Sequence, residues 1–248
     1  MTTTVAAPKA SRTIPAMVER IIPAIATRGR ILSMLVFGFV PVVLGVLINR
    51  ANADGRGDEV EPVQLLDAFT LTIYVPLVVL IFASATLGTL RDERTLVYFW
   101  LRPIGRWQIA VAALLSAWLV LIPLVAVPTV AFAWVVGDGT DIAGALLSAL
   151  AGVVAYGAIF TALGLITKRA LVWGLLYILV WEGFIGGLSQ TAGRLSIRNY
   201  TRSLLGDITN FELLNNPESP ATAWIVVVAV AIVGAGVATM MLNRMDVD

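Results

Sequence analysis

The chain has 248 residues, of which 58% are hydrophobic and only 13% charged, with a net charge of +1 and a mean hydropathy of +0.89. A soluble domain carries roughly 25% charged residues, so the composition excludes a soluble globular protein, and so small a net charge gives no sign of a nucleic-acid partner. Cysteine and histidine are both absent, which removes disulfides, thiolate metal sites, Cys or His nucleophiles and histidine proton relays. The only lysines are Lys9 and Lys168. Neither follows a glycine or precedes Ser or Thr, so the chain has no P-loop. Any ATP used must be bound by another chain.

Residues 1–30 read as a cytoplasmic N-terminus and 31–248 as a single transmembrane domain. After a small, polar start, Ile14, Met17, Val18, Ile21, Ile22 and Ile25 recur at helical spacing, with Arg12, Glu19 and Arg20 off that face. The pattern predicts an amphipathic helix over 14–28, kinked at Pro23, lying on the membrane surface. A disordered basic tail is the alternative. Six spans follow, at about 31–48, 65–90, 107–136, 142–166, 171–188 and 221–242. Ala51-Asn52-Ala53 after the first span resembles a signal-peptidase site, but the apolar run and its flank are too long for a signal peptide, so an uncleaved anchor is expected. Pro123 and Pro128 are expected to break the regularity of the long third span. Gly137–Asp141 reads as a tight turn leading into the fourth. That span carries a small-residue stripe at Gly144, Ser148 and Gly152, suited to close helix packing. Residues 190–220 form a polar segment with partly helical spacing over 200–214.

Orientation follows from Lys and Arg. One side carries Lys9, Arg12, Arg20, Arg28, Arg30, Arg91, Arg94, Arg102, Arg106, Lys168, Arg169 and Arg244. The other carries only Arg50, Arg56, Arg194, Arg198 and Arg202. The basic side is cytoplasmic by the positive-inside rule, so both termini lie inside. The expected fold is an all-α six-helix membrane bundle with an interfacial N-terminal helix.

Two features carry functional information. The first is the loop 91–106, whose four arginines are Arg91, Arg94, Arg102 and Arg106. Asp92 can cap a short helix, Leu96, Phe99 and Trp100 share one face of it, and Pro103 ends it. A loop that only joins two spans does not need an aromatic-bearing helix, which makes a docking surface the alternative to a solvated, topogenic loop. The second is Glu182, the one charge placed well inside a span, about 18 Å into a core of roughly 30 Å. A carboxyl there must be protonated, paired or facing water. It reads as a functional site or, equally, as a hydrogen-bonded tether to the segment 194–202 folding back. Tyr74, Tyr177 and Trp181 join Glu182 as candidate residues of a substrate path or intramembrane polar site.

The stretch Asp92-Glu93-Arg94-Thr95-Leu96, followed by Leu101-Arg102-Pro103-Ile104-Gly105-Arg106, resembles the loop of permease subunits of bacterial ABC transporters of the type-2 export family. Tyr177-Ile178-Leu179-Val180-Trp181-Glu182-Gly183, followed by Leu195-Ser196-Ile197-Arg198-Asn199-Tyr200, is similar to a pattern in many prokaryotic members. The resemblance implies a coupling helix in the loop, with Glu93, Thr95, Leu96, Phe99, Trp100, Arg102, Pro103 and Arg106 contacting a cytoplasmic ATPase subunit. It also implies a second permease subunit, alike or different, in the bacterial cytoplasmic membrane, with ATP and magnesium held by the ATPase and no cofactor in this chain. Spans two and five would line the path of an amphipathic substrate at the interface of the two permease subunits, and 190–220 would form external or re-entrant helices. Membrane lipid is the remaining partner. A proton-coupled secondary transporter using Glu182 and a non-transport assembly subunit stay open as alternatives. A membrane-embedded enzyme lacks the acidic or histidine cluster it would need.

Overall fold

The computed structural model describes residues 10–53, 61–92, 105–186, 190–214 and 217–245, which form helices and turns with no strand among them. The expected coupling residues Glu93, Thr95, Leu96, Phe99, Trp100, Arg102 and Pro103 lie outside the described residues. The helices in chain order are α1 (Ala10–Ile25), α2 (Arg28–Ala53), α3 (62–92), α4 (Arg106–Val136), α5 (Gly139–Ile166), α6 (Ala170–Ile185), α7 (Gln190–Gly193), α8 (Ile197–Thr209) and α9 (Pro220–Arg244). Two helices change pitch. Helix α3 is α-helical over Pro62–Leu66 and Val75–Asp92 but π-helical over Asp67–Tyr74. Helix α6 is π-helical over Tyr177–Ile185.

Helices α2, α3, α4, α5 and α9 are each long and apolar enough to cross a membrane, which makes this a multi-pass membrane protein. The expected span 171–188 differs. Its seven α-helical and nine π-helical residues fall just below the roughly 17–25 a span needs. Other boundaries shift outward: α2 begins at Arg28, and α3 begins at Pro62 after the extended Glu61. Helix α4 runs as one helix through Pro123 and Pro128, over the residues expected for the third span. A missing amide donor removes one bond from a ladder of 31 residues, and the flanking turns and neighbouring helices hold the rest.

Helix α5 is the axis of the bundle. Its most apolar stretch is 72% buried, against 17% for α2 and 22% for α9, and it packs on α3, α4, α8 and α9. Small residues set these approaches. A Cβ on Gly164 would sit 2.2 Å from the Ser84 carbonyl oxygen, so α3 and α5 touch backbone to backbone there. Gly234 does the same for α9 against Ala158. In lipid, where tails are as apolar as Leu, such close packing is what holds helices together.

Helix α1 starts and ends earlier than the expected 14–28. Its predicted face is used on protein: Met17, Ile21 and Ile25 are buried with Leu87, Ile109, Leu165 and Leu242. Thr13 Oγ1 donates to Gln108 Oε1 at 2.8 Å, fixing α1 along α4.

The Gly144–Ser148–Gly152 stripe receives α8. A Cβ at Gly144 would meet Thr209 and Leu205, and one at Gly152 would meet Val75 and Thr201. Helix α8 therefore runs antiparallel to α5, with its N-terminus at the deep end. Gly152 lies about 20 Å along α5 from Gly139, at a rise of about 1.5 Å per residue. At its other end α8 stops at Asn210, whose φ of 53° puts it in the left-handed region, where Asn is tolerated and commonly ends helices.

Candidate functional site

A helix that begins inside a bundle exposes up to four orphan backbone N–H groups at its N-terminus. Ser196 and Ile197 are buried, so side chains satisfy them. At the head of α8, Ser196 is the N-cap and accepts from Asn199 N at 3.4 Å. The remaining donors go to Glu182. Ile197 N donates to its Oε1 at 3.0 Å and Arg198 N to its Oε2 at 3.1 Å. The Ser196 hydroxyl donates to Oε2. Tyr177 donates its hydroxyl to Oε1 at 2.7 Å. Glu182 is 4% exposed. Its two oxygens thus accept four hydrogen bonds, three of them from the N-cap and first turn of α8, at the positive end of that helix's dipole.

The π pitch of α6 makes this geometry. Five residues apart on an α-helix lie about 140° apart around the axis. In a π-helix the i and i+5 residues are hydrogen-bonded neighbours, so Tyr177 reaches Glu182. The Tyr177 ring also meets Phe160 edge-on at 6.2 Å, and Phe160 stacks on Tyr156 at 5.8 Å. The buried Tyr156 hydroxyl faces the same carboxyl group without completing a well-formed hydrogen bond.

A second anchor holds α8 from the opposite flank. Arg202 Nη2 pairs with Asp67 Oδ2 at 2.9 Å. Asp67 is itself buried and opens the π stretch of α3. On the exposed side of the same head, Arg194 Nε pairs with Glu218 at 3.0 Å, and the Tyr200 hydroxyl donates to the Arg194 carbonyl at 2.7 Å. Helix α8 is therefore bridged to α6 through Glu182 and to α3 through Asp67, with both anchors in π turns.

Of the candidate residues, Tyr177, Trp181 and Glu182 come together. Trp181 Nε1 points at the Leu195 carbonyl at 3.4 Å, just before the α8 cap. Tyr74 does not join them. Its hydroxyl donates to the Leu124 carbonyl at 2.8 Å, and its ring lies against Phe37 and over Gly38, tying α3 to α2 and α4. Arg106 donates to the Leu242 carbonyl at the end of α9. The segment 194–202, which holds Ser196 and Arg202, was read as a tether for Glu182, and Glu182 does bond to Ser196, Ile197 and Arg198 in it; sequence reasoning missed Tyr156 and Asp67. Asp67 was the readable signal, an acidic residue two positions inside the expected span 65–90. Chemically, the arrangement is an anchor: the Glu182 oxygens are enclosed and fully engaged by donors. No protein-family model matches the chain, and no curated protein matches it significantly.

Proposed function

We propose that this chain is the membrane-spanning permease subunit of an ATP-driven exporter in a bacterial cytoplasmic membrane, similar to the ABC type-2 export family. It pairs with a second permease subunit and takes its energy from a separate cytoplasmic ATPase that holds ATP and magnesium. The substrate is amphipathic, and six spans with both termini inside complete the topology, α6 being the short fifth.

The observation that supports this reading best is the mounting of the loop 93–104. Its two stems are Arg91 and Arg106. Arg91 Nη1 donates to the Leu165 carbonyl at 2.8 Å, at the end of α5, and Arg106 donates to the end of α9. Helix α1 packs over the same layer through Met17 and Ile21. A loop that only connects does not need pinned stems. A loop that receives force from a partner does, because energy passes only through contacts that differ between states. The load would travel along α3. The stretch Pro62–Arg91 has 30 residues, or about 45 Å, and joins the loop to Asp67, which holds α8. The enclosed Glu182 favours this reading over proton coupling, since a proton-coupled carboxyl needs a path to water.

The test is co-expression with the ATPase encoded beside the gene, using a tag on one partner. Wild type is expected to co-purify with it, and Leu96→Asp/Trp100→Asp to lose it while still inserting in the membrane. No ATPase captured, or capture indifferent to the two substitutions, contradicts the assignment.

A further inference from the structure

Helix α8 is held unequally along its length. At its head both Glu182 oxygens are engaged, by Tyr177, Ser196 and the Ile197 and Arg198 amides. Arg202 lies about 8 Å further along the axis. It is held by its ion pair, Nη2 to Asp67 Oδ2 at 2.9 Å. Asp67 Oδ1 and Arg202 Nε are buried there without a hydrogen-bond partner among the described residues. Beyond the pair, the foot of α8 rests on Gly144, which meets Leu205, Ile208 and Thr209 with no side chain of its own to interlock. One face round, Arg202, Gly206 and Asn210 line a cavity of about 330 Å³, which Leu213 and Pro217 help to close. A further tie, Glu218 N donating to Ser203 Oγ at 3.1 Å, joins α8 to the segment across that cavity rather than to α5.

These differences decide where α8 yields first. Lifting the head strips Glu182 of four donors at once. Parting Arg202 from Asp67 gives up one pair, and it admits water to two atoms that the seated helix leaves unpaired, which offsets part of the loss. The Arg202 side chain is already 25% exposed, so its guanidinium can be hydrated close to where it stands. The cavity gives the foot room to tilt without displacing close-packed atoms. We propose that α8 is a hinged strap: it pivots about the Glu182 head, and the Asp67–Arg202 pair is the latch whose opening frees the foot from Gly144. Thr209 lies about 18 Å from the pivot and the latch about 8 Å, so a parting at the latch is more than doubled at the foot. The device belongs to this chain alone. It needs no ATPase, so its failure and the failure of the exporter reading are separate results.

The test uses the purified full chain, whose lack of cysteine lets one introduced thiol report on one place. Leu205→Cys reports on the foot and Ile197→Cys on the head, both at buried positions. A small water-soluble thiol reagent should react faster at 205 than at 197. Asp67→Asn should speed the reaction at 205 by roughly ten- to a hundredfold, the range for a hydrogen bond to a charged group, and leave 197 unchanged. Arg202→Gln should do the same from the other side of the latch. A second measurement needs no substitution at the latch: hydrogen exchange of the Leu205→Cys chain should find the α8 amides protected on the time scale on which the thiol reacts, because a strap that swings stays helical. Equal reactivity at 205 and 197, an effect of Asp67→Asn that is the same at both, or α8 amides that exchange in step with the thiol, the mark of local unfolding, overturns the proposal.

Discussion

Glu182 is the residue on which the seating of α8 depends. Truncating it leaves the N–H groups of Ile197 and Arg198 without acceptors in a water-poor site, and each unmade bond of this kind costs about 1–3 kcal/mol. Glu182→Ala should therefore lower the unfolding temperature in detergent far more than Tyr177→Phe, which removes one donor and costs about 1 kcal/mol. Glu182→Gln should fall between them, because its amide turns a donor toward donors. A Glu182→Gln protein that melts like wild type yet fails in transport would contradict an anchoring role and favour proton coupling. The lone charge in the apolar run Leu175–Ile185 was readable from sequence, and so was its possible tether. Its partners were not. Helical periodicity at 3.6 residues per turn puts Tyr177 and Glu182 on different faces, and only the π pitch unites them. Asp67 was legible as an acidic residue just inside the expected span, but its role was not, because charges near a span boundary are ordinarily solvated.

At the scale of elements, the turn before α5 shows how local chemistry starts the central helix. Asp138 is the N-cap. Its Oδ1 accepts from Thr140 Oγ1 at 2.6 Å, Thr140 N at 2.8 Å and Asp141 N at 3.2 Å, while Asp141 Oδ2 accepts from Asp138 N at 3.1 Å. The Thr140 hydroxyl first, then the two backbone amides, hold the Asp138 carboxyl below its ordinary pKa of 3.8. A carboxyl depressed in the folded state stabilises it above the unfolded pKa and loses that contribution as pH falls through the folded value. Wild type should thus lose stability below about pH 4 that Asp138→Asn, a capping residue that does not titrate, retains; parallel acid melts of the two proteins check this, and coincident acid transitions would contradict it. The turn and the stripe at Gly144, Ser148 and Gly152 were both legible, since each is a local pattern. What the stripe receives was not. Helix α8 is too polar to read as a membrane element, and its burial follows from pairing Arg202 with Asp67 and capping its head with Glu182, contacts between residues far apart in the chain. The face of α1 was equally legible in Met17 and Ile21, but the same apolar stripe suits a lipid surface or a protein one.

For the whole molecule, the helices form a connected frame. Loop stems are pinned to α5 and α9 at one end, α3 runs the length of the bundle, and at the other end α8 is strapped to α3 and α6. If the proposed function holds, ATP turnover on the partner moves α8 through this frame. The absence of cysteine makes a direct measurement available: spin labels at Asp207→Cys on α8 and Leu47→Cys on α2, in the reconstituted complex with its ATPase. Magnesium-ATP should shift the distance distribution between them, and Asp67→Asn, which removes the charge holding Arg202, should weaken that shift. An identical distribution with and without nucleotide, in a complex that hydrolyses ATP, would contradict the claim.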